Sequence, residues 1–252
     1  MSDTGIVYVT KTWNPYPGCS KCSPGCQNCY AEVMAKRLHK IGVPAYLEVV
    51  SDHGWTGLVG TGDVDAPARW KKPQRILVQS MGDLFYEGVS DEQIFAVFEV
   101  MEQAQQHTYL VLTKRPRRMR DAVYTALRIG MPTEHIWWGV TVENQGVFSD
   151  RLAALRCVSG HKWLSIEPLL GPVYRMPAAK EAGIGWVVIG CESGPRRRPC
   201  KLRWVTALVD ECKGAGIPVF VKQLDIDGRV SHDPAEWPEE LRVREYPEGM
   251  VI

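Results

Sequence analysis

The sequence predicts an α/β protein built on a parallel sheet, a partial or full (β/α) barrel. Three observations carry this. From residue 75 to 223, short apolar runs alternate with segments of helical period, the order that produces parallel strands. Strands such as Trp186-Val-Val-Ile189 are apolar throughout, as in a sheet buried on both faces. Polar residues close nearly every strand at its C-terminal end, the edge on which such folds carry their sites.

In chain order, residues 6–12 read as the first strand. Trp13-Asn-Pro-Tyr-Pro-Gly18 then breaks regular structure, because two prolines and a glycine cannot sustain it. Four of the eight cysteines follow within eleven residues, Cys19, Cys22, Cys26 and Cys29. A helix is expected from Cys29 to about Ile41, with Gly42 as its stop. Residues 43–72 form an inserted loop or small hairpin around a glycine-rich centre; loops of this length inside a domain are usually functional or mobile.

The repeated unit then sets in. The strand 75–79 ends in Ser80-Met-Gly-Asp83, and Ser90 N-caps a helix over 91–105. The strand 107–113 ends in Lys114-Arg115-Pro116, before a helix over 116–129. The strand 135–142 ends in Glu143-Asn144, before a helix over 149–156. Strands over 162–165 and 185–189 end in Ile166-Glu167-Pro168 and Gly190-Cys-Glu-Ser-Gly194. A helix over 202–213 leads to a strand over 218–221 that ends in Lys222-Gln223. Residues 1–224 are thus expected to form the barrel, and 225–252 a polar, proline-rich tail packed on it.

A net charge of +1 over 252 residues gives no global field toward DNA or anionic membrane. No apolar run approaches the roughly 20 residues of a membrane span. The first residues, Met-Ser-Asp-Thr-Gly, carry no secretory pattern. Crowded thiols without an export signal favour a reducing cytoplasm and metal binding over disulfides.

The cysteine loop admits three readings. Zinc sites pair two CxxC knuckles usually separated by a dozen or more residues, whereas three residues separate Cys22 from Cys26. A ferredoxin-type cluster also uses closely spaced cysteines, but does not need a large barrel with polar strand ends. The third is a cluster on three cysteines with one iron left open.

The third reading gains from resemblance. Cys22-x3-Cys26-x2-Cys29, followed by Tyr30, resembles the spacing by which radical S-adenosylmethionine (SAM) enzymes hold a [4Fe–4S] cluster. Eight ordered motifs extend it: Trp13–Cys19, Ser23–Glu32, Ser80–Phe85, Leu112–Pro116, Gly139–Glu143, Ser165–Gly171, Gly190–Gly194 and Val221–Gln223. Together, from about residue 10 to 223, they resemble a family of unknown function first named for mycobacteriophage proteins and grouped with the radical SAM superfamily. Its usual C-x6-C-x2-C pattern implies Cys19, Cys26 and Cys29 as ligands; the general superfamily spacing implies Cys22 in place of Cys19.

The resemblance implies a radical SAM barrel with two cofactors, the [4Fe–4S] cluster and SAM, and a reductant such as flavodoxin or ferredoxin as partner. It implies cleavage of SAM and abstraction of hydrogen from a substrate. The phage association points to a nucleotide or DNA base in a modification pathway. Tyr30, Ser80, Gly82, Asp83, Glu143, Asn144, Ser165 and Glu192 are then the expected SAM contacts. Lys114, Glu167 and Lys222 are the expected catalytic residues.

The contrasting class is a non-catalytic iron–sulfur or zinc protein that holds nucleic acid. Five basic residues in seven, Lys114, Arg115, Arg117, Arg118 and Arg120, would form its patch, with Arg196-Arg-Arg198 as a second grip. A charge run is more often a solvated face. Trp137, Trp138, Trp163 and Trp186 lie on expected strands and read as core. Trp55 and Trp70, in the insertion, are the better candidates for stacking on a flat substrate. The six histidines show no zinc-hydrolase spacing.

Overall fold

The computed structural model describes residues 4–250. The chain divides into two compact units at Trp137/Trp138. Each is mixed α/β, with mostly parallel strands and flanking helices.

The first unit contains β1 (Lys11–Trp13), α1 (Tyr30–Lys40), β2 (Val50–Ser51), β3 (Gly54–Trp55), β4 (Arg75–Val78), α2 (Asp91–Gln103), β5 (Thr108–Thr113) and α3 (Pro116–Arg128). Strands β1, β4 and β5 lie side by side in that order, all parallel, with Trp13 opposite Val78 and Val78 opposite Val111. All four residues of β4 are buried, Arg75 with its Nε on the Tyr8 carbonyl and Ile76–Val78 as an apolar run. Helix α2 begins with a full capping box between Ser90 and Gln93. Helix α3 starts on Pro116, whose fixed φ suits a first helical position, and buries Met119, Val123 and Ala126 on one face.

The second unit contains β6 (Ile136–Thr141, which begins just before the division), α4 (Gln145–Arg156), β7 (His161–Ile166), α5 (Met176–Glu181), β8 (Ile184–Gly190), α6 (Leu202–Gly214), β9 (Val219–Ile226) and β10 (Arg229–Ser231). The order is β6-β7-β8-β9-β10; β7, β8 and β9 run parallel and β10 antiparallel. Gly139 is obligatory on β6: a Cβ there would meet Trp163 Nε1 at 2.2 Å. Trp163 in turn stacks on Trp186, with centroids 5.6 Å apart.

Several boundaries differ from the sequence reading. The first strand is confined to Lys11–Trp13, because Val9 N–H bonds back to the Ile6 carbonyl in a turn. Helix α4 starts at Gln145 rather than 149, since Asn144 Oδ1 caps the Gly146 N–H at 2.9 Å. Strand β9 continues to Ile226 instead of ending at Val221. Asp227 (φ 48) and Gly228 (φ 75) then make the two-residue turn into β10, as an Asp-Gly pair favours. The tail is bonded in: Glu245 N–H donates to the Val219 carbonyl, Val221 N–H to the Val243 carbonyl, and Trp237 is buried. The insertion contains the expected small hairpin, β2–β3. Among the described residues no helix is long and apolar enough to cross a membrane.

Candidate functional site

The cysteine loop hangs from a stitched root. Asn14 Oδ1 accepts from Ser80 Oγ (3.1 Å) and from Met81 N–H (2.8 Å). Gln79, at φ 61, clasps the Tyr16 backbone with both ends of its amide. Gly18 and Gly82 form a parallel bridge, with Gly18 N–H on the Met81 carbonyl at 3.3 Å. Gly82 has no room for a side chain: its Cβ would lie 2.5 Å from the Gly18 carbonyl oxygen. From the other side, Gly60 and Gly62 donate to the Pro17 (2.8 Å) and Pro15 (2.7 Å) carbonyls. Ser80 and Gly82, expected as SAM contacts, therefore also fix the loop. Tyr30, half exposed, donates its hydroxyl to the Ser80 carbonyl at 2.7 Å.

Beyond the root, Cys26 is buried, Cys19 and Cys29 are half-buried and Cys22 is exposed. A short 3-10 turn over Pro24–Cys26 folds the loop back, so that Ser23 Oγ lies 3.6 Å from Cys26 Sγ. The hydrogen bond from Cys22 and the charge of Lys114 pull the Cys26 thiol down to about 4. That same bond pushes the Cys22 thiol up. Burial, with the Asp83 charge behind it, pushes Cys19 up to about 12. Burial also raises Cys29, with Lys114 acting against it. Among the described residues, no group of three or more His, Cys, Asp or Glu side chains is placed to hold a metal ion. The irons of a cluster each take a thiolate of their own.

Arg115 ties the loop to the strand ends. Its guanidinium donates to Asp83 Oδ2 (3.3 Å), to both Glu87 oxygens (2.9 and 3.1 Å), to Ser20 O (3.0 Å) and Oγ (2.8 Å), and to Cys19 Sγ (3.6 Å). It also lies 5.0 Å over the Tyr86 ring. Asp83 receives four donors, Thr113 Oγ1, Phe85 N–H, Lys114 N–H and Arg115 Nη1. These account for the roughly four lone-pair sites of a carboxylate.

The expected basic patch is largely neutralised. Arg115 is buried as described, Arg118 bonds to the Tyr86 and Val89 carbonyls and to Asp91, and Arg120 pairs with Asp121. Of the five, Arg117 alone is exposed. In the second unit Arg198 grips Glu192, and Arg197 pairs with Asp225. Trp70 is also engaged, edge-on to His107 (centroids 6.0 Å apart) and beneath Lys11. Trp55 packs against the small core that α1 shares with β2.

In the second unit the strand-end residues fall into two kinds. Glu143 is fully buried and bound by Arg151 Nη1 at 2.7 Å, while Asn144 caps α4. Glu192 is buried against Arg198. Glu167 and Lys222 are more accessible: Lys222 Nζ meets Glu167 Oε2 at 2.8 Å, and the buried Ser165 donates its Oγ to Oε1 at 3.2 Å. Gly190 leaves the room, since a Cβ there would meet Glu167 Oε2 at 2.9 Å.

Sequence reasoning missed the Gln79 clasp, the partners of Arg115 and Arg151, and the Arg197–Asp225 pair. Each joins residues far apart in sequence or within a polar run. The positive φ of Gln79 carries no sequence mark, but Asp227-Gly228 was a visible hairpin signal beside Asp225.

No curated protein and no solved structure matches the chain. The model of a family described as "Protein of unknown function (DUF5131)" matches residues 3–237, nearly the whole length, so the chain belongs to that family.

Proposed function

We propose that the protein is a radical SAM enzyme on a partial parallel (β/α) barrel, its [4Fe–4S] cluster held by Cys19, Cys26 and Cys29. The donor set fits the group: four thiols on one loop are soft ligands suited to iron–sulfur ligation. The observation that carries the reading is the Arg115 guanidinium on Cys19 Sγ. Hydrogen bonds to cluster sulfurs tune such sites, and Arg115 is fixed by Asp83, Glu87 and Ser20 before any cluster is bound. Cys22, exposed and bonded to Cys26, is the spare thiol.

When bound, the reduced cluster supplies the electron that splits SAM for hydrogen abstraction; the chain supplies position, charge and exclusion of water. Lys114 brings positive charge to Cys26 and Cys29, which favours their thiolates. Arg115 holds Cys19 and the Ser20 backbone in place. In the second unit Lys222 Nζ donates to Glu167 Oε2, with Ser165 Oγ on the other oxygen. A carboxylate–ammonium pair of this kind is suited to proton transfer.

Anaerobic reconstitution tests the proposal. A brown protein absorbing at about 400 nm that releases 5′-deoxyadenosine from SAM after reduction supports it. A colourless protein with one tight zinc and no SAM cleavage overturns it. Bound iron, compared between Cys19→Ala and Cys22→Ala, assigns the third ligand: loss is expected in the first and retention in the second.

A further inference from the structure

Helix α1 grows directly out of the cysteine loop, with Cys29 as its N-cap. Ala31, Ala35 and Leu38 turn toward the small core shared with the β2–β3 hairpin. Tyr30, Val33, Met34, Arg37, Lys40 and Ile41 are exposed. At 3.6 residues per turn these six fall within an arc of about 120°, so they form one continuous stripe. Its four apolar side chains are between 40% and 74% exposed. Single exposed apolar residues are ordinary on a surface, but a contiguous row rimmed by charge marks a contact face.

The charge on this stripe is of one sign. Arg37 and Lys40 are both exposed, while the one acid of the helix, Glu32, has only 13% of its side chain exposed and is held by Lys21 at 3.1 Å. A second copy of the chain fits poorly, because an isologous contact sets each cation against its own kind. Nucleic acid fits poorly too, because four of the six side chains offer nothing to a phosphate. An acidic protein face fits both properties: apolar contact at the centre, complementary charge around it. One face of one helix also suits the small, short-lived contacts of redox partners, which bury less than about 1,200 Å².

Placement narrows the partner further. Val33 and Met34 lie only about 6–8 Å along the helix axis from Cys29. A cluster on the loop must receive its electron from outside the chain, and transfer falls off steeply with distance. We propose that the α1 stripe docks an acidic one-electron carrier protein, which hands its electron to the cluster beside Cys29. One electron leaves the carrier and enters the cluster, and no bond is made or broken. This inference rests on the cluster proposed above.

Calorimetry of the full, metal-free chain with a flavodoxin and with a ferredoxin tests the surface by itself. At least one carrier is expected to bind, more weakly as salt screens the contact. Arg37→Glu/Lys40→Glu is expected to weaken binding about tenfold or more, and Met34→Asp likewise, with circular dichroism unchanged. Arg203→Glu, at an exposed position on α6, is expected to leave binding as it was. Neither carrier binding, unchanged binding in the double variant, or equal loss in Arg203→Glu overturns the proposal. So does a double variant that loses self-association, or binding to phosphatidylserine vesicles or duplex DNA, instead of carrier binding. On reconstituted protein, 5′-deoxyadenosine release driven by reduced carrier is expected to fall in the double variant, while release driven by dithionite is kept. Absence of dithionite-driven release in wild type would sink the enzyme reading, whereas the binding measurements judge the docking face without it.

Discussion

Arg115 Nη1 donates to Cys19 Sγ across 96 positions of sequence, at 3.6 Å. The same guanidinium holds two carboxylates and the neighbouring Ser20. One buried side chain thus links the first cysteine to the ends of two strand–helix connections.

Arg115→Ala is expected to destabilise the protein by about 3–5 kcal/mol, because it strands the buried Asp83 without its charged partner. Arg115→Lys keeps the charge but not the fork, and is expected to recover only part of the loss. Urea denaturation of metal-free protein measures both. Equal stability of wild type and Arg115→Ala would show that the network is dispensable.

Gly82→Ala forces a Cβ to within 2.5 Å of the Gly18 carbonyl oxygen and 2.7 Å of Gln79 Nε2. Backbone must move, and the expected cost is about 1–3 kcal/mol. The disturbance reaches the cysteine loop through the Gly18–Gly82 bridge. Faster thiol alkylation at Cys19 in the variant, read by mass spectrometry, is the expected local sign.

Glu167 and Lys222 are partly exposed, at 12% and 19% of their side chains. Glu167→Gln and Lys222→Met are each expected to cost about 1–3 kcal/mol, because each leaves a largely buried charged partner without its bond. The double variant should cost less than the sum, because both singles break one bond. Additive losses in a double-mutant cycle would mean the two groups do not interact in solution.

Burial holds the His135 imidazole below its ordinary value of 6.5, although its Nε2 faces the Met101 carbonyl at 2.9 Å. Below 6.5 the unfolded chain therefore binds more protons than the folded one. Stability from this group is full above 6.5 and declines as pH falls toward the depressed folded value. Denaturation midpoints at pH 7 and pH 5 read the slope, and His135→Gln is expected to flatten it.

Much of this was legible in the sequence. Alternating runs gave β4 through β9 and the helices α2, α3, α4 and α6, while the six-residue α5 was missed; Ser90 and Pro116 announced α2 and α3 through local capping chemistry. Boundaries failed where a single polar contact decided them: Asn144 started α4 early, and an Ile6–Val9 turn delayed β1. The basic run from Lys114 to Arg120 was misleading because charge patterning shows the cations and not their distant carboxylates. The four thiols were plain, but their unequal exposure and the Arg115 contact on Cys19 arise only on folding.

Residues 15–18 take hydrogen bonds from Gly60 and Gly62 on one flank and meet Met81 and Gly82 on the other. For hydrogen exchange this divides the loop sharply. The amides of Gly18, Gly60 and Gly62 should be protected for as long as the first unit stays folded, while the exposed Lys21–Cys22 tip should exchange early. The proposed cluster would draw the tip onto this root, so anaerobic reconstitution is expected to slow exchange at the tip and leave the root unchanged.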